Sequence, residues 1–208
     1  MSRGAFITLE GGEGAGKSTN LDFVKQWLGR LHKEVVVTRE PGGTDFGERV
    51  RQILLHAHDL SISSDAELLL VFAARAEHLR KLIEPALSAG KTVVCDRFTD
   101  ATYAYQGAGR GIDSRRIAQM EEWVQGGLRP DLTLLFDVPV QVGLERANRR
   151  SNPDRFEQER GEFFERVRQC YLASAAREPR RIRVVDATEA PGAVEAQIAH
   201  ILEEFFGA

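Results

Sequence analysis

The sequence predicts an α/β fold, in which a five-stranded parallel β-sheet is flanked by helices on both faces. Strand-like apolar runs recur along the chain, at residues 5–10, 35–38, 92–96, 132–137 and 182–186. Segments with apolar residues at helical spacing separate these runs, and this alternation is typical of a parallel sheet covered by helices. The 208 residues contain no internal repeat and no Pro- or Ser-rich linker, so we expect a single domain spanning residues 1–208.

The composition restricts the possible classes of function. The net charge is −3, with acidic and basic residues interspersed, which offers no basic surface for nucleic acid. No apolar run approaches the length of a membrane span. Because Glu10 and Glu13 interrupt the N-terminal region before a signal-peptide core could form, we expect a cytoplasmic protein. Cys95 and Cys170 match no metal or redox spacing, and we expect both to be buried thiols.

The segment after the first strand fits the phosphate-binding pattern G-x-x-x-x-G-K-[ST], the P-loop. Its residues are Gly11, Gly12, Glu13, Gly14, Ala15, Gly16, Lys17 and Ser18, with Thr19 next along the chain. Glycines let consecutive backbone N–H groups face an anionic phosphate chain. Leu21, Val24 and Leu28 follow at helical spacing, so a helix is predicted to begin at Lys17 with its positive end towards the phosphates. The pattern predicts nucleotide binding, with the lysine on the β- and γ-phosphates and the Ser18 hydroxyl on Mg²⁺.

Charged residues follow two of the other predicted strands. Asp96 and Arg97 end the run at 92–96, and the glycine-rich segment 38–44 contains Arg39. Open α/β sheets bind ligands at the carboxyl ends of their strands. A carboxylate there suits Mg²⁺ and an arginine suits phosphate, although a strand-end salt bridge is the structural alternative. Two such arginines suggest a second anionic substrate, and hence phosphoryl transfer rather than hydrolysis.

Two further segments depart from a simple amphipathic pattern. On a helix predicted to begin near Asp65, Arg75 occupies the same face as Leu68, Phe72 and Leu79. Its side chain either extends to the surface or lines a pocket in which Phe72 offers a stacking surface. The arginine-rich stretch 145–155 is either a solvated turn or a lid that brings arginines to a transferring phosphate.

These segments together resemble bacterial thymidylate kinase. The resemblance rests on residues 10–19, 39–44, 96–98, 104–107 with 109–110, and 154–157, in matching order and spacing along nearly the whole chain. It implies the P-loop NTPase fold with a short lid at about 146–156. It also implies transfer of a phosphoryl group from ATP to dTMP with Mg²⁺, in a homodimer.

The resemblance also implies roles for individual residues. Glu13 corresponds to an acidic position that organises lid and substrate, and Lys17, Arg97, Arg150 and Arg155 are the implied catalytic cations, with Arg146 behind them. Ser18, from the P-loop pattern, and Asp96, from its place at a strand end, are the expected metal ligands. The residues implied to contact dTMP are Arg39 and Arg97 at its phosphate, Phe72, Arg75, Thr102 and Gln106 at its base, and Tyr105 near the sugar 2′ position.

Three other functions compete with this interpretation. A kinase of the same architecture for another nucleotide or a nucleoside would differ in the base contacts, namely Phe72, Arg75 and Gln106. A GTPase-like switch would carry a guanine-reading Asn-Lys-x-Asp segment, which the sequence lacks. A nucleic-acid motor is disfavoured by the acidic balance of charge.

Overall fold

The computed structural model of the chain describes residues 3–56, 61–149, 156, 159 and 161–207. Within them, five parallel strands form one sheet in the order β2-β3-β1-β4-β5. The strands are β1 (Phe6–Gly11), β2 (Val35–Arg39), β3 (Thr92–Asp96), β4 (Leu132–Asp137) and β5 (Ile182–Asp186). The predicted α/β fold is confirmed, with boundaries that differ by one residue at β1 and β2.

Helices connect the strands and cover both faces of the sheet. They are α1 (Lys17–Arg30), α2 (Asp45–His56), α3 (Ser64–His78), α4 (Glu84–Ser88), α5 (Thr99–Thr102), α6 (Ser114–Gln125), α7 (Val140–Asn148), α8 (Gly161–Arg177) and α9 (Pro191–Phe206). Helix α1 begins at Lys17 as predicted, and Asp113 caps α6 by accepting a hydrogen bond from the Arg115 backbone N–H. Two π-helical segments, Leu79–Ile83 and Tyr103–Gly109, are absent from the sequence prediction, because apolar spacing does not register one extra residue in a turn.

Alternation along the strands divides the core between the two faces of the sheet. Ile7 and Leu9 of β1 pack in one cluster with residues of α1 and α9. Phe6 points to the opposite face, where it packs with residues near α4, and α8 packs beside β4 and β5. Glu10 shares the parity of Phe6, so its side chain points towards the face that α8 covers.

The two cysteines differ in burial. Cys95 on β3 is buried as predicted, whereas Cys170 is only half-buried, because it lies on the flank of α8 at the edge of a surface groove. The prediction of a buried thiol is therefore wrong for Cys170. Burial raises the pKa of both thiols. In the described ranges, no helix combines the length and the apolar character needed to cross a membrane.

Candidate active site

A cavity of about 270 Å³ lies at the carboxyl ends of β1, β2 and β3. The P-loop, α2, α3, the turn after β3 and the π-helical segment Tyr103–Gly109 all contribute to its wall. The sequence-predicted residues that line it are Glu13, Gly16, Lys17, Ser18, Arg75, Asp96, Arg97, Thr102, Tyr105 and Gln106. Side chains from distant parts of the chain are thus brought to one site.

The P-loop joins β1 to α1 through left-handed backbone. Gly14 (φ 65°) and Gly16 (φ 89°) adopt conformations that disfavour a side chain, and Gly16 directly precedes α1. The Lys17 ammonium donates to the carbonyl oxygens of Gly11 and Gly12, each at 2.9 Å. Burial and the nearby Arg97 lower the pKa of Lys17 to about 8. Because the site disfavours the charged form of Lys17, an anionic ligand bound beside the ammonium stabilises that charge.

Glu13, Arg97 and Tyr105 form one hydrogen-bonded cluster above the P-loop. The Glu13 Oε1 atom accepts from the Arg97 guanidinium at 2.6 Å and from the Tyr105 hydroxyl at 2.9 Å. The guanidinium also lies 4.7 Å from the centre of the Tyr105 ring. Burial alone would raise the pKa of Glu13, but Arg97 and Lys17 outweigh burial and hold that pKa at about 2. Glu13 is therefore ionised and holds Arg97 in the cavity.

Asp96 and Ser18 offer oxygen atoms suited to a divalent cation. The Asp96 Oδ1 atom is buried and has no hydrogen-bond partner among the described residues. Ser18 lies in the first turn of α1 and lines the same cavity. Carboxylate and hydroxyl oxygens fit the ligand preference of Mg²⁺. An unpartnered buried carboxylate oxygen is costly in a protein unless a ligand satisfies it.

The arginines near Arg97 differ from the sequence prediction. Arg39 does not line the cavity: its side chain is 53% exposed and pairs with Glu48 at 2.8 Å. Arg51 of α2 does line it and donates to the Pro41 carbonyl at 3.0 Å. Burial, Arg39 and Arg97 together lower the pKa of Arg51. Sequence reasoning missed Arg51; its position on the helix that follows the glycine-rich segment 38–44 was the available signal.

Arg75 is buried, with only 1% of its side chain exposed, so it does not extend to the surface. Its guanidinium donates to Glu40 at 2.7 Å, to Thr102 at 2.9 Å and to Gln125 at 3.3 Å. The other oxygen of Glu40 lies 2.9 Å from the His78 ring. The structure thus favours the pocket alternative for Arg75, and Glu40 is a partner that sequence reasoning missed.

The aromatic residue predicted to stack on a base is not in the cavity. Phe72 is buried in a cluster with Leu68, Ile112 and Ile117, and the Arg75 guanidinium lies 4.9 Å from its ring centre. Val71, one helical turn before Arg75, lines the cavity instead. The prediction for Phe72 is wrong because the rotation of α3 turns that ring behind Arg75, away from the open space.

The remaining predicted base contacts do line the cavity. Thr102 is buried and accepts from Arg75, while the Gln106 amide donates to Glu67 at 2.9 Å. Apolar wall residues to which the sequence analysis gave no role complete this end, namely Leu54, Leu55, Phe98 and Phe156. The cavity therefore has one end rich in cations and one end with an apolar wall and a few fixed polar groups.

Two of the predicted catalytic arginines, Arg150 and Arg155, lie outside the described residues, as does most of the segment 146–156. Arg146, near the end of α7, is described. Its guanidinium donates to the Ala187 carbonyl at 2.8 Å and so connects α7 to the loop after β5. Arg146 is not among the residues that line the cavity.

Comparison with known proteins places this site in a family. The family model "Thymidylate kinase" matches residues 9–198. A thymidylate kinase of Pseudomonas putida is 59% identical over 96% of this chain and 95% of its own length. A thymidylate kinase of Methylococcus capsulatus is 60% identical with the same coverage. The crystal structure of thymidylate kinase from Ehrlichia chaffeensis superposes with a TM-score of 0.77, at 36% identity, and covers 97% of this chain and 99% of that chain.

Proposed function

The chain belongs to the thymidylate kinase family, and from this premise we propose the role of each site residue in the family reaction. That reaction transfers the γ-phosphoryl group of ATP to dTMP and gives dTDP and ADP. One observation supports the division of roles most directly. A single cavity joins the P-loop and Arg97 at one end to Arg75, Thr102 and Gln106 at the other.

The cationic end binds the phosphates. The P-loop backbone and Lys17 bind the ATP phosphates, and Arg97 with Arg51 binds the dTMP phosphate. Because the acceptor is already an anion, no general base is needed, and the residues act by positioning and by neutralising charge. Glu13 fixes the orientation of the Arg97 guanidinium, since its Oε1 atom accepts a hydrogen bond from that guanidinium at 2.6 Å.

Mg²⁺ is the proposed metal, held by Ser18 and Asp96. Both residues line the cavity, and the buried Oδ1 atom of Asp96 has no partner among the described residues. When bound, the ion would neutralise negative charge on the phosphates. The protein contributes the oxygen ligands and a site near Lys17 that favours anionic phosphates.

The apolar end binds the thymine base. We assign hydrogen bonding to Arg75 and Gln106, whose orientations are fixed by Glu40 and Glu67. Thr102 lies beside them, and Val71 provides apolar contact. Tyr105 lies between the two ends and is proposed to crowd the 2′ position of a ribonucleotide, which would favour dTMP over UMP.

The segment 146–156 remains the proposed lid of a single domain, with Arg150 and Arg155 as its proposed catalytic arginines. Their test is substitution to alanine, which should lower kcat while leaving dTMP binding intact. A cytoplasmic location is likewise proposed, and cell fractionation would test it.

We also propose a homodimer. Exposed apolar residues concentrate on three adjacent helices: Phe46 and Ile53 on α2, Leu69 on α3 and Trp123 on α6. Helix α3 packs against both α2 and α6, and the exposed fractions of Leu69 and Trp123 are 57% and 80%. A surface of this kind is typical of an interface. Sedimentation velocity should give a dimer for the native chain and a monomer for Trp123→Glu; a monomeric native chain would contradict the proposal.

A coupled assay of ADP formation tests the assigned base and sugar contacts. Purified protein with Mg²⁺ and ATP is supplied separately with dTMP, dUMP, UMP, dCMP, dGMP and AMP. Turnover with dTMP and little with UMP is expected, and Lys17→Ala serves as the control for contaminating kinases. Comparable turnover with UMP would contradict the role of Tyr105, and preference for another base would contradict the thymine contacts.

A further inference from the structure

Glu10 is a buried carboxyl group that the proposed division of roles does not use. Glu10 is the penultimate residue of β1, just before the P-loop glycines, and its side chain is 0% exposed. Its Oε1 atom accepts from the Phe98 backbone N–H at 2.7 Å, and its Oε2 atom accepts from the Tyr171 hydroxyl at 2.7 Å. One side chain therefore links β1 to the turn after β3 and to α8.

The turn that Glu10 contacts has an unusual backbone. Arg97 has φ +68°, in the left-handed region; His32, in an exposed turn, is the other described non-glycine residue with positive φ. A side chain in that region is strained and persists only when its surroundings enforce it. Strain at this point bears on the site, because the Arg97 backbone determines where its guanidinium enters the cavity.

Two acceptors on β1 hold the backbone N–H groups of the strained residue Arg97 and of the residue that follows it. The Arg97 N–H donates to the Leu9 carbonyl at 3.0 Å, and the next N–H, that of Phe98, donates to Glu10. The Cys95 thiol also donates to the Arg97 carbonyl at 3.0 Å. Of these contacts, the one to Glu10 is made by a carboxyl group and is itself fixed by a residue on another element, Tyr171.

We propose that Glu10 is a positioning residue, whose carboxyl group holds the Arg97–Phe98 peptide in its left-handed turn and thereby aims the Arg97 guanidinium at the acceptor phosphate. The inference rests on the proposed function of Arg97. Glu10 is not among the residues that line the cavity, whereas Arg97 and Phe98 are. We assign its effect on turnover to Arg97, because Arg97 carries the charge that faces the acceptor phosphate.

A double-mutant cycle on kcat tests this coupling. Glu10→Ala removes the acceptor, and we expect kcat to fall at least about thirtyfold, because a buried N–H is left unpaired and the turn relaxes. In an Arg97→Ala background, Glu10→Ala should change kcat by less than about threefold, since the group that it positions is gone. Glu10→Gln retains an acceptor oxygen and should restore kcat to within about threefold of the native value.

Thr8→Val is the matched control for a buried polar deletion. Thr8 lies on the same face of the same strand, is 0% exposed, and forms a hydroxyl pair with Thr133 at 2.8 Å. Its substitution should leave kcat unchanged in both backgrounds. If Glu10→Ala fails to fold, Tyr171→Phe replaces it in the cycle, because it removes the hydroxyl that fixes the carboxyl and should show the same non-additivity.

The possible results separate this inference from the proposed function. If Glu10→Ala lowers kcat by the same factor in the native chain and in the Arg97→Ala background, the positioning role is overturned and only a structural role is left. Native kcat in Glu10→Ala, together with a large loss in Arg97→Ala, would overturn the positioning role alone. Native kcat in Arg97→Ala would overturn the proposed role of Arg97 and the inference together.

Discussion

The carboxylate of Glu13 and the guanidinium of Arg97 are joined at 2.6 Å, across the gap between the P-loop and the turn after β3. Both side chains are partly exposed to the cavity, at 17% and 18%. The pair connects the segment proposed to bind the ATP phosphates with the segment proposed to bind the acceptor phosphate. In the proposed function, this contact sets how far apart the two phosphate sites lie.

Removal of either principal cation should abolish most turnover. Lys17→Ala and Arg97→Ala should each lower kcat by at least about a hundredfold, as expected for loss of one preorganised transition-state donor. Lys25→Ala is the control, because Lys25 lies on the same helix as Lys17 but is exposed. Steady-state kinetics at saturating ATP and dTMP measure the effect, and native turnover in either cation variant would contradict its assigned role.

Val71, rather than Phe72, should affect dTMP binding. Val71→Ala removes apolar contact from the cavity wall and should raise the KM for dTMP by about threefold to tenfold, since each buried methylene contributes about 0.8 kcal/mol. Phe72→Leu should leave this KM nearly unchanged and lower the melting temperature, because the ring packs in a core cluster. The reverse pattern would restore Phe72 as the stacking residue.

Gly143 should be required for ATP binding. A Cβ on Gly143 would lie 2.5 Å from the Glu13 carbonyl oxygen, and a Cβ on Gly14 would overlap the Gly143 backbone. Gly143→Ala should therefore displace α7 from the P-loop and raise the KM for ATP by about tenfold or more, with the KM for dTMP little changed. Gly29→Ala, in a helix with open space around it, is the control; equal KM values for ATP in both variants would contradict the prediction.

Glu10 should make stability depend on pH. Burial, with the nearby Asp100, raises the pKa of Glu10 from 4.5 to about 8, against the hydrogen bonds from Tyr171 and Phe98. The folded chain then binds a proton that the unfolded chain releases, so this contribution to stability is complete below pH 4.5 and is lost as the pH rises through about 8.

Glu10→Gln removes that proton linkage. The unfolding free energy of Glu10→Gln relative to the native chain should increase by at least about 1 kcal/mol between pH 6 and pH 9. Urea denaturation at several pH values measures the difference in unfolding free energy. Contributions of the other titrating groups cancel in this difference, because both proteins contain them. Parallel stability profiles for the two proteins would show that the pKa of Glu10 is not raised.

The sequence was sufficient for features that are local along the chain. The P-loop is one contiguous segment, and the parallel strands appear as separate apolar runs, so both were predicted close to their observed positions. Asp96 and Arg97 were found because strand ends converge at one edge of a parallel sheet.

Other features depend on packing between distant segments. Glu40 and Arg75 are 35 positions apart and meet only because α3 packs beside the end of β2. Val71 and Phe72 are neighbours in sequence, and the rotation of α3 alone decides which of them faces the cavity. Arg51 had one local signal, its position on the helix that follows the glycine-rich segment 38–44, but the apolar stripe of that helix does not show that its flank reaches the cavity. The Glu40–Arg75 contact and the orientation of Val71 have no local signal.

The central claim is that one cavity binds dTMP with its phosphate at Arg97 and its base at the apolar end. Isothermal titration of the native chain and Arg97→Ala with dTMP and with thymidine tests it most directly. We expect Arg97→Ala to weaken dTMP binding at least about tenfold, as for loss of a hydrogen bond to a charged group, and to leave thymidine affinity within about threefold. Equal losses for both ligands, or native affinity for dTMP, would contradict the account.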